Sequence, residues 1–221
     1  MNNFKKIDVL LAFVIGCFNA LIIVLIARNL AIDFPVIKIA LRFQYYFIVA
    51  IPLLWGGILI ISYYMSRMVP VFYQFAKFII VGSLNFLIDM GILNFLIFYT
   101  GISAGMPQSA FKGFSFIVAV LNSYIWNKFW TFSRSKSYSV RKEFIQFLIV
   151  SIIGFLLNLG VDYVFVNMIH PFRALPAKSW AQFSAMIAAI VALFWNFIGY
   201  KFIVFQVKQE GVSPVELQTR Q

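Results

Sequence analysis

Charge is scarce in this sequence. Aspartate, glutamate, lysine and arginine make up 11% of its 221 residues, against about a quarter in soluble domains. The single cysteine, Cys17, and the single histidine, His170, exclude an internal disulfide, a zinc-type ligand cluster and a Cys/His pair. There is no Walker-type glycine loop and no Ser/His/Asp set with workable spacing. His170 precedes Pro171 in a short loop and reads as a surface residue rather than a base. The residues therefore call for no catalytic group, no metal and no cofactor, and an enzyme is not expected. In place of these, 62% of the chain is hydrophobic and 19% is aromatic.

Six stretches reach the roughly 20 apolar residues that cross a hydrocarbon core: Val9 to Ala27, Tyr46 to Met65, Phe78 to Tyr99, Phe114 to Trp130, Phe144 to Met168 and Trp180 to Phe205. The expected fold is all-α, a polytopic transmembrane bundle of six spans in the cytoplasmic membrane, with membrane lipid around it. A net charge of +11 would suggest nucleic acid in a soluble chain, but here the basic residues sort by loop. With the N-terminus inside, Lys5, Lys6, Arg67, Lys77, Lys128, Arg134, Lys136, Arg141, Lys142, Lys201, Lys208 and Arg220 are cytoplasmic. Arg28, Lys38, Arg42, Lys112, Arg173 and Lys178 are outside. That two-to-one bias is what the positive-inside rule requires for both termini in the cytoplasm, and no nucleic-acid partner is expected.

"VIGC", residues 14–17, resembles a lipoprotein cleavage box, but the apolar run continues to Ile26, so it reads as part of a retained helix. Residues 1–70 form an N-terminal extension of two spans with a segment between them. Pro35 can open a helix there, and Lys38 and Arg42 share a face at i, i+4. The segment is an interfacial helix or a loop lying on the membrane surface. Residues 71–207 read as a four-helix domain, and 208–221 as a cytoplasmic tail.

The four-helix domain is a repeat of two helix pairs. "NKFWTF", residues 127–132, and "YKFIVF", residues 200–205, close two different spans with the same lysine and phenylalanines at an offset of 73. Earlier in each pair, "FAKFIIVGSLNFLIDMGILNFL" at 75–96 matches "FIQFLIVSIIGFLLNLGVDYVF" at 144–165. An offset of 69 aligns Phe75, Phe78, Val81, Phe86 and Gly91 with Phe144, Phe147, Val150, Phe155 and Gly160. An offset of 73 instead aligns Asn85 and Asp89 with Asn158 and Asp162. The two differ by about one helical turn, and the sequence does not choose between them. Two spans per copy make the repeats parallel, with any transport path between the halves. "SRSKSYSVRKE", residues 133–143, connects them.

Polar residues within spans are the informative ones, because an ionised carboxylate at a span centre costs about 2.5–3.5 kcal/mol even on insertion scales. Asn85 and Asp89 share a helix face, as do Ser151, Asn158 and Asp162. One reading makes them interhelical glue worth about 0.6 kcal/mol each. The other makes Asn85, Asp89, Asn122, Asn127, Asn158, Asp162 and Asn196 the lining of a path for hydroxyl-rich or ionic cargo. No basic residue is assigned to the depth of Asp89, so it is expected to be neutral and to donate a bond to Asn85, Asn158 or a partner from the other repeat.

Lys128 and Lys201 end their spans beside aromatics, where lysines commonly anchor by snorkelling. Their recurrence in both copies, with Arg134 just beyond the first, suggests instead a phosphate site made of Lys128, Lys201 and Arg134.

These strings, from "FAKFIIVGSLNFLIDMGILNFL" through "LNSYIWNKFWTF" and "FIQFLIVSIIGFLLNLGVD" to "LFWNFIGYKFIVF", resemble the GtrA-like family of small membrane proteins. The signature is F-x-x-V-G-x-x-N at Phe78 to Asn85 with paired N-K/R-aromatic-x-F endings, although the second ending has Tyr200 and Ile203 for Asn127 and Trp130. The resemblance covers about residues 72–206, and the first 70 residues lie outside it. It implies a flippase that moves a polyprenyl-phosphate-linked sugar, such as undecaprenyl-phosphate glucose, from the inner to the outer leaflet for surface-polysaccharide or teichoic-acid glycosylation. A membrane-associated glycosyltransferase is the implied protein partner, and self-association into a homo-oligomer is compatible with it. Two rivals stand beside this reading: an anchor that recruits such a glycosyltransferase, and a small proton-coupled cation exporter using Asp89 and Asp162.

Overall fold

The computed structural model describes residues 6–30, 39, 41–133, 139–169 and 177–206. Among them the secondary structure is helical: α1 (Lys6–Leu30), α2 (Gln44–Met65), α3 (Val71–Thr100), α4 (Gly105–Trp126), α5 (Val140–Met168) and α6 (Ala177–Gly199). α4 and α6 each continue into one wider turn, Asn127–Thr131 and Tyr200–Val204, in the π form. Each closes on an i+5 bond, Phe132 N–H to the Asn127 carbonyl at 2.8 Å and Phe205 N–H to the Tyr200 carbonyl at 2.7 Å. The chain is a polytopic helical membrane protein.

Five of the helices are long and apolar enough to cross a membrane, where six spans were expected. The exception is α4, whose 22 residues include Gln108, Ser109, Lys112, Ser115, Asn122 and Ser123. Several of these polar groups bond to α3 or within α4 itself. α4 also starts nine residues before Phe114, the expected start of its span. Its contacts with α3 run from Gln74–Thr131 at one end to Asp89–Ser115 near the other, so it returns beside α3 over most of that helix's length.

The chain forms two compact units, residues 1–133 and 134–221. In the first, α1 packs against α2 and α3, and α3 against α4. The packed face of α1 carries Asp8, Ala12, Ile15, Gly16, Asn19, Ala20 and Val24, a stripe at helical spacing, while Leu10, Phe13, Phe18, Leu21 and Leu25 point outward. That arrangement suits lipid, where small residues let helices approach and large apolar ones lose nothing by facing outward. At Gly16 the approach is tightest: a Cβ there would lie 2.5 Å from the Pro52 Cα of α2. "VIGC" lies within α1, which runs through it without a break.

α3 stops where Gly101 adopts φ +71° and its N–H reaches the Ile97 carbonyl at 2.8 Å, a left-handed ending that glycine tolerates best. In the second unit α5 begins at Ser139, whose hydroxyl accepts from the Lys142 N–H at 3.3 Å, an N-cap. α5 and α6 then pack as a hairpin. Its closest approaches are at Gly154, against the Asn196 side chain, and Gly199, against Val150.

The interfacial helix or loop expected around Pro35 and Lys38, and His170, lie outside the described residues, as does the tail at 208–221.

Candidate functional site

Register within the hairpins decides which residues of the two copies correspond. The π turns at Asn127 and Tyr200 are 73 residues apart. In the first hairpin Asp89 lies level with Ser115; in the second, Asp162 lies level with Ser184. A shift of 73 takes Ser115 to Ala188, which the same register sets level with Asn158. The first helices of the pairs therefore correspond at 69 and the second helices at 73. Asn158 occupies the level of Asp89, and Asp162 sits one turn nearer its hairpin's loop.

Where a bond to Asn85 or Asn158 was expected, the partners of Asp89 are on α4. Its carboxylate accepts from Lys112 Nζ in an ion pair, and from the fully buried Ser115 hydroxyl at 2.6 Å. Lys112, expected in an outer loop, is two turns inside α4 because that helix starts at Gly105. One turn before Asp89, Asn85 accepts from the Asn122 amide at 2.6 Å. Asn85, Asp89 and Asn122 thus form one polar strip between α3 and α4, together with Lys112 and Ser115.

The second hairpin carries a smaller version. Asp162 accepts from the fully buried Ser184 at 2.6 Å, Asn158 is half-buried one turn before it, and Ser151 shares a 2.6 Å hydrogen bond with Tyr200. Asn196 lies against Gly154, and its Oδ1 is buried with no partner among the described residues. Asn127 has the same property at its Oδ1, while its amide bonds the Ser123 carbonyl at 2.9 Å.

Lys128 and Lys201 both lie in the π turns, half-buried. Lys128 reaches the Tyr124 hydroxyl at 3.1 Å and lies over that ring. Lys201 lies 5.3 Å from the Phe202 ring centre and 5.8 Å from that of Phe197. Arg134 is outside the described residues.

One cluster was missed. Asp8, in the first turn of α1, is buried and pairs with Lys77 of α3 at 2.7 Å. The Tyr73 hydroxyl and the Trp130 indole N–H donate to its two oxygens, each at 2.9 Å. Lys77 also lies over the Tyr73 and Trp130 rings, 4.7 and 5.4 Å from their centres. A lone acid at the edge of an apolar run was the available signal. Farther along α1, Asn19 donates to Ser83 at 2.8 Å and Asn29 to Asn94 at 2.6 Å.

The family model described as GtrA/DPMS, transmembrane domain, matches residues 77–205. The Bacillus subtilis (strain 168) protein described as "Uncharacterized membrane protein YngA" is 30% identical over 140 residues, 63% of this chain and 84% of its own length. No solved structure matches the chain.

Proposed function

Because the chain belongs to the GtrA/DPMS transmembrane-domain family, we propose that it translocates a polyprenyl-phosphate-linked monosaccharide from the cytoplasmic to the outer leaflet. The observation that carries this reading is the pairing, in each hairpin, of a terminal π turn bearing a lysine with an aspartate held by a buried serine farther along. π turns often mark functional sites. The lysines, Lys128 and Lys201 with Arg134, receive the phosphate at the cytoplasmic rim. The sugar hydroxyls then exchange water for amide and carboxylate partners. Asn122 and Asn85 can each donate and accept, and the Oδ1 atoms of Asn127 and Asn196, buried without a partner among the described residues, are acceptors that a hydroxyl could use once it reaches them. The prenyl tail stays in lipid, so an open polar groove suffices and no sealed pore is needed. The product would serve cell-surface polysaccharide or teichoic-acid glycosylation, with a glycosyltransferase loading the lipid inside.

The ion pair with Lys112 counts against Asp89 as a cation site of the exporter, since a carboxylate already matched by an ammonium has no net charge to offer a cation. The glycosyltransferase anchor is separated by experiment. In proteoliposomes, labelled undecaprenyl-phosphate sugar should equilibrate between leaflets only when the protein is present. Lys128→Ala and Lys201→Ala should each slow exchange, and Lys→Arg at either position should keep most of it, because charge at the rim is retained. Exchange no faster than in protein-free vesicles would leave the anchor.

A further inference from the structure

The cluster around Asp8 has its acceptor on one segment and all its donors on another. Tyr73 and Lys77 come from α3 and Trp130 from the π turn after α4, and only the carboxylate comes from α1. The donor side is therefore complete without α1: an ammonium, a phenol O–H and an indole N–H aimed at one oxyanion, with two aromatic rings flanking the ammonium. We propose that Lys77, Tyr73 and Trp130 are a binding site for a phosphate-type oxyanion, which Asp8 fills until such an anion displaces it. This rests on the lipid-phosphate reading above and adds a gate to it.

Three observations support the gate. Trp130 lies two residues beyond Lys128 in the same π turn, so one turn carries both the lysine assigned to the phosphate and, on another side, a donor of this cluster. By hairpin register the second copy has Lys142, Gln146 and Ile203 where the first has Tyr73, Lys77 and Trp130, so the donor set belongs to the hairpin in α1's own unit, on which α1 packs. Finally, Asp8 is the third residue of α1, within the turn that frays most readily. The rest of α1 is fastened separately through Asn19–Ser83 and Asn29–Asn94, so Asp8 can leave without α1 undocking.

The test uses the full-length protein in nanodiscs, titrated with undecaprenyl phosphate and, separately, with inorganic phosphate. Asp8→Asn keeps the side chain's shape and removes its charge. If Asp8 fills the site about nine-tenths of the time, that variant should bind about tenfold more tightly, since apparent affinity falls with the open fraction. Adding Lys77→Met should abolish the gain. A gain with both probes identifies a site for the oxyanion itself, and a gain with the lipid alone identifies a lipid-headgroup site; either supports the proposal. Unchanged binding of both probes by a folded Asp8→Asn protein overturns it and leaves Asp8 as a fastening.

A second measurement needs no variant. Undecaprenyl phosphate should speed amide hydrogen exchange across residues 6–12 of the wild type as Asp8 is expelled, and unchanged exchange with the lipid bound likewise overturns the proposal. The two readings fail separately. Loss of binding in Lys128→Ala with no gain in Asp8→Asn removes the gate alone. A gain in Asp8→Asn without any protein-dependent leaflet exchange removes translocation alone.

Discussion

Asp89 and Lys112 show what a single residue's surroundings can change. A mid-span aspartate is legible in the sequence as a costly group, but its partner is 23 residues away and had been assigned to a loop. Periodicity finds faces, and it does not find which cation a turn of unexpected helix brings inward. The same holds for Asp8, whose partners lie 65 and 122 residues along the chain. By contrast Asn85 and Asn122 were both singled out, as the lining of a cargo path or as glue between helices, and they are hydrogen-bonded neighbours. For the ion pair, a double-mutant cycle of Asp89→Asn and Lys112→Gln should give a coupling of about 0.6 kcal/mol, up to about 1.7, the range for interhelical polar pairs in membranes. Either single change should destabilise more than the double. Reversible unfolding in mixed micelles measures it, and additive single effects would mean the pair contributes nothing.

At the scale of helices, the six apolar runs each became a helix, and the boundaries moved where composition is mixed. α3 begins at Val71 rather than Phe78, because Tyr73, Ala76 and Lys77 pack against neighbouring helices and extend it past its apolar centre. The π turns were illegible as such, although the strings that form them were the first sign of a repeat. Helix contacts follow small residues, which makes two predictions. Gly16→Val would drive a side chain into the Pro52 backbone and should cost about 1–3 kcal/mol as overpacking. Gly82→Ala, where a Cβ meets nothing within 4 Å, should be neutral or stabilising by up to about 1 kcal/mol from helix propensity. Equal thermal-aggregation midpoints for the two variants would contradict this. In the second unit, Gly199→Ala should lower stability through its clash with Val150, and Val150→Ala in the same chain should recover part of the loss, since the obstructing atoms belong to that side chain. Absence of rescue would place the strain elsewhere.

For the whole molecule the sequence supplies the class and the repeat, and the excess of basic residues on one side leads to a proposed orientation. The orientation has a direct test. In a Cys17→Ser background, a cysteine at Ser135 should react with an impermeant maleimide only from the cytoplasmic side, and one at Ser103 only from outside. The reverse pattern would move Lys128 and Lys201 to the outer face and end the loading scheme. The N-terminal helices were legible as spans but not as partners of the first hairpin. The polar bonds that join α1 to the first hairpin come from Asp8, Asn19 and Asn29, three groups whose apolar surroundings made them look incidental.

The Asp8 cluster also sets an order of assembly on the ribosome. Tyr73 is polymerised 65 residues after Asp8, Lys77 a few residues later, and Trp130 122 residues after it. At about 5–20 residues per second, the carboxylate waits roughly 3–13 s for its first donor and 6–24 s for its last. Until Tyr73 and Lys77 are made the nascent α1 has an acid in its first turn without the partners it has in the fold, and its set of donors is complete only with Trp130. Its first turn is therefore best kept at the wet edge of the bilayer until the first hairpin is made, so the closing of this cluster ties the settling of that turn, rather than the docking of α1, to the completion of α4.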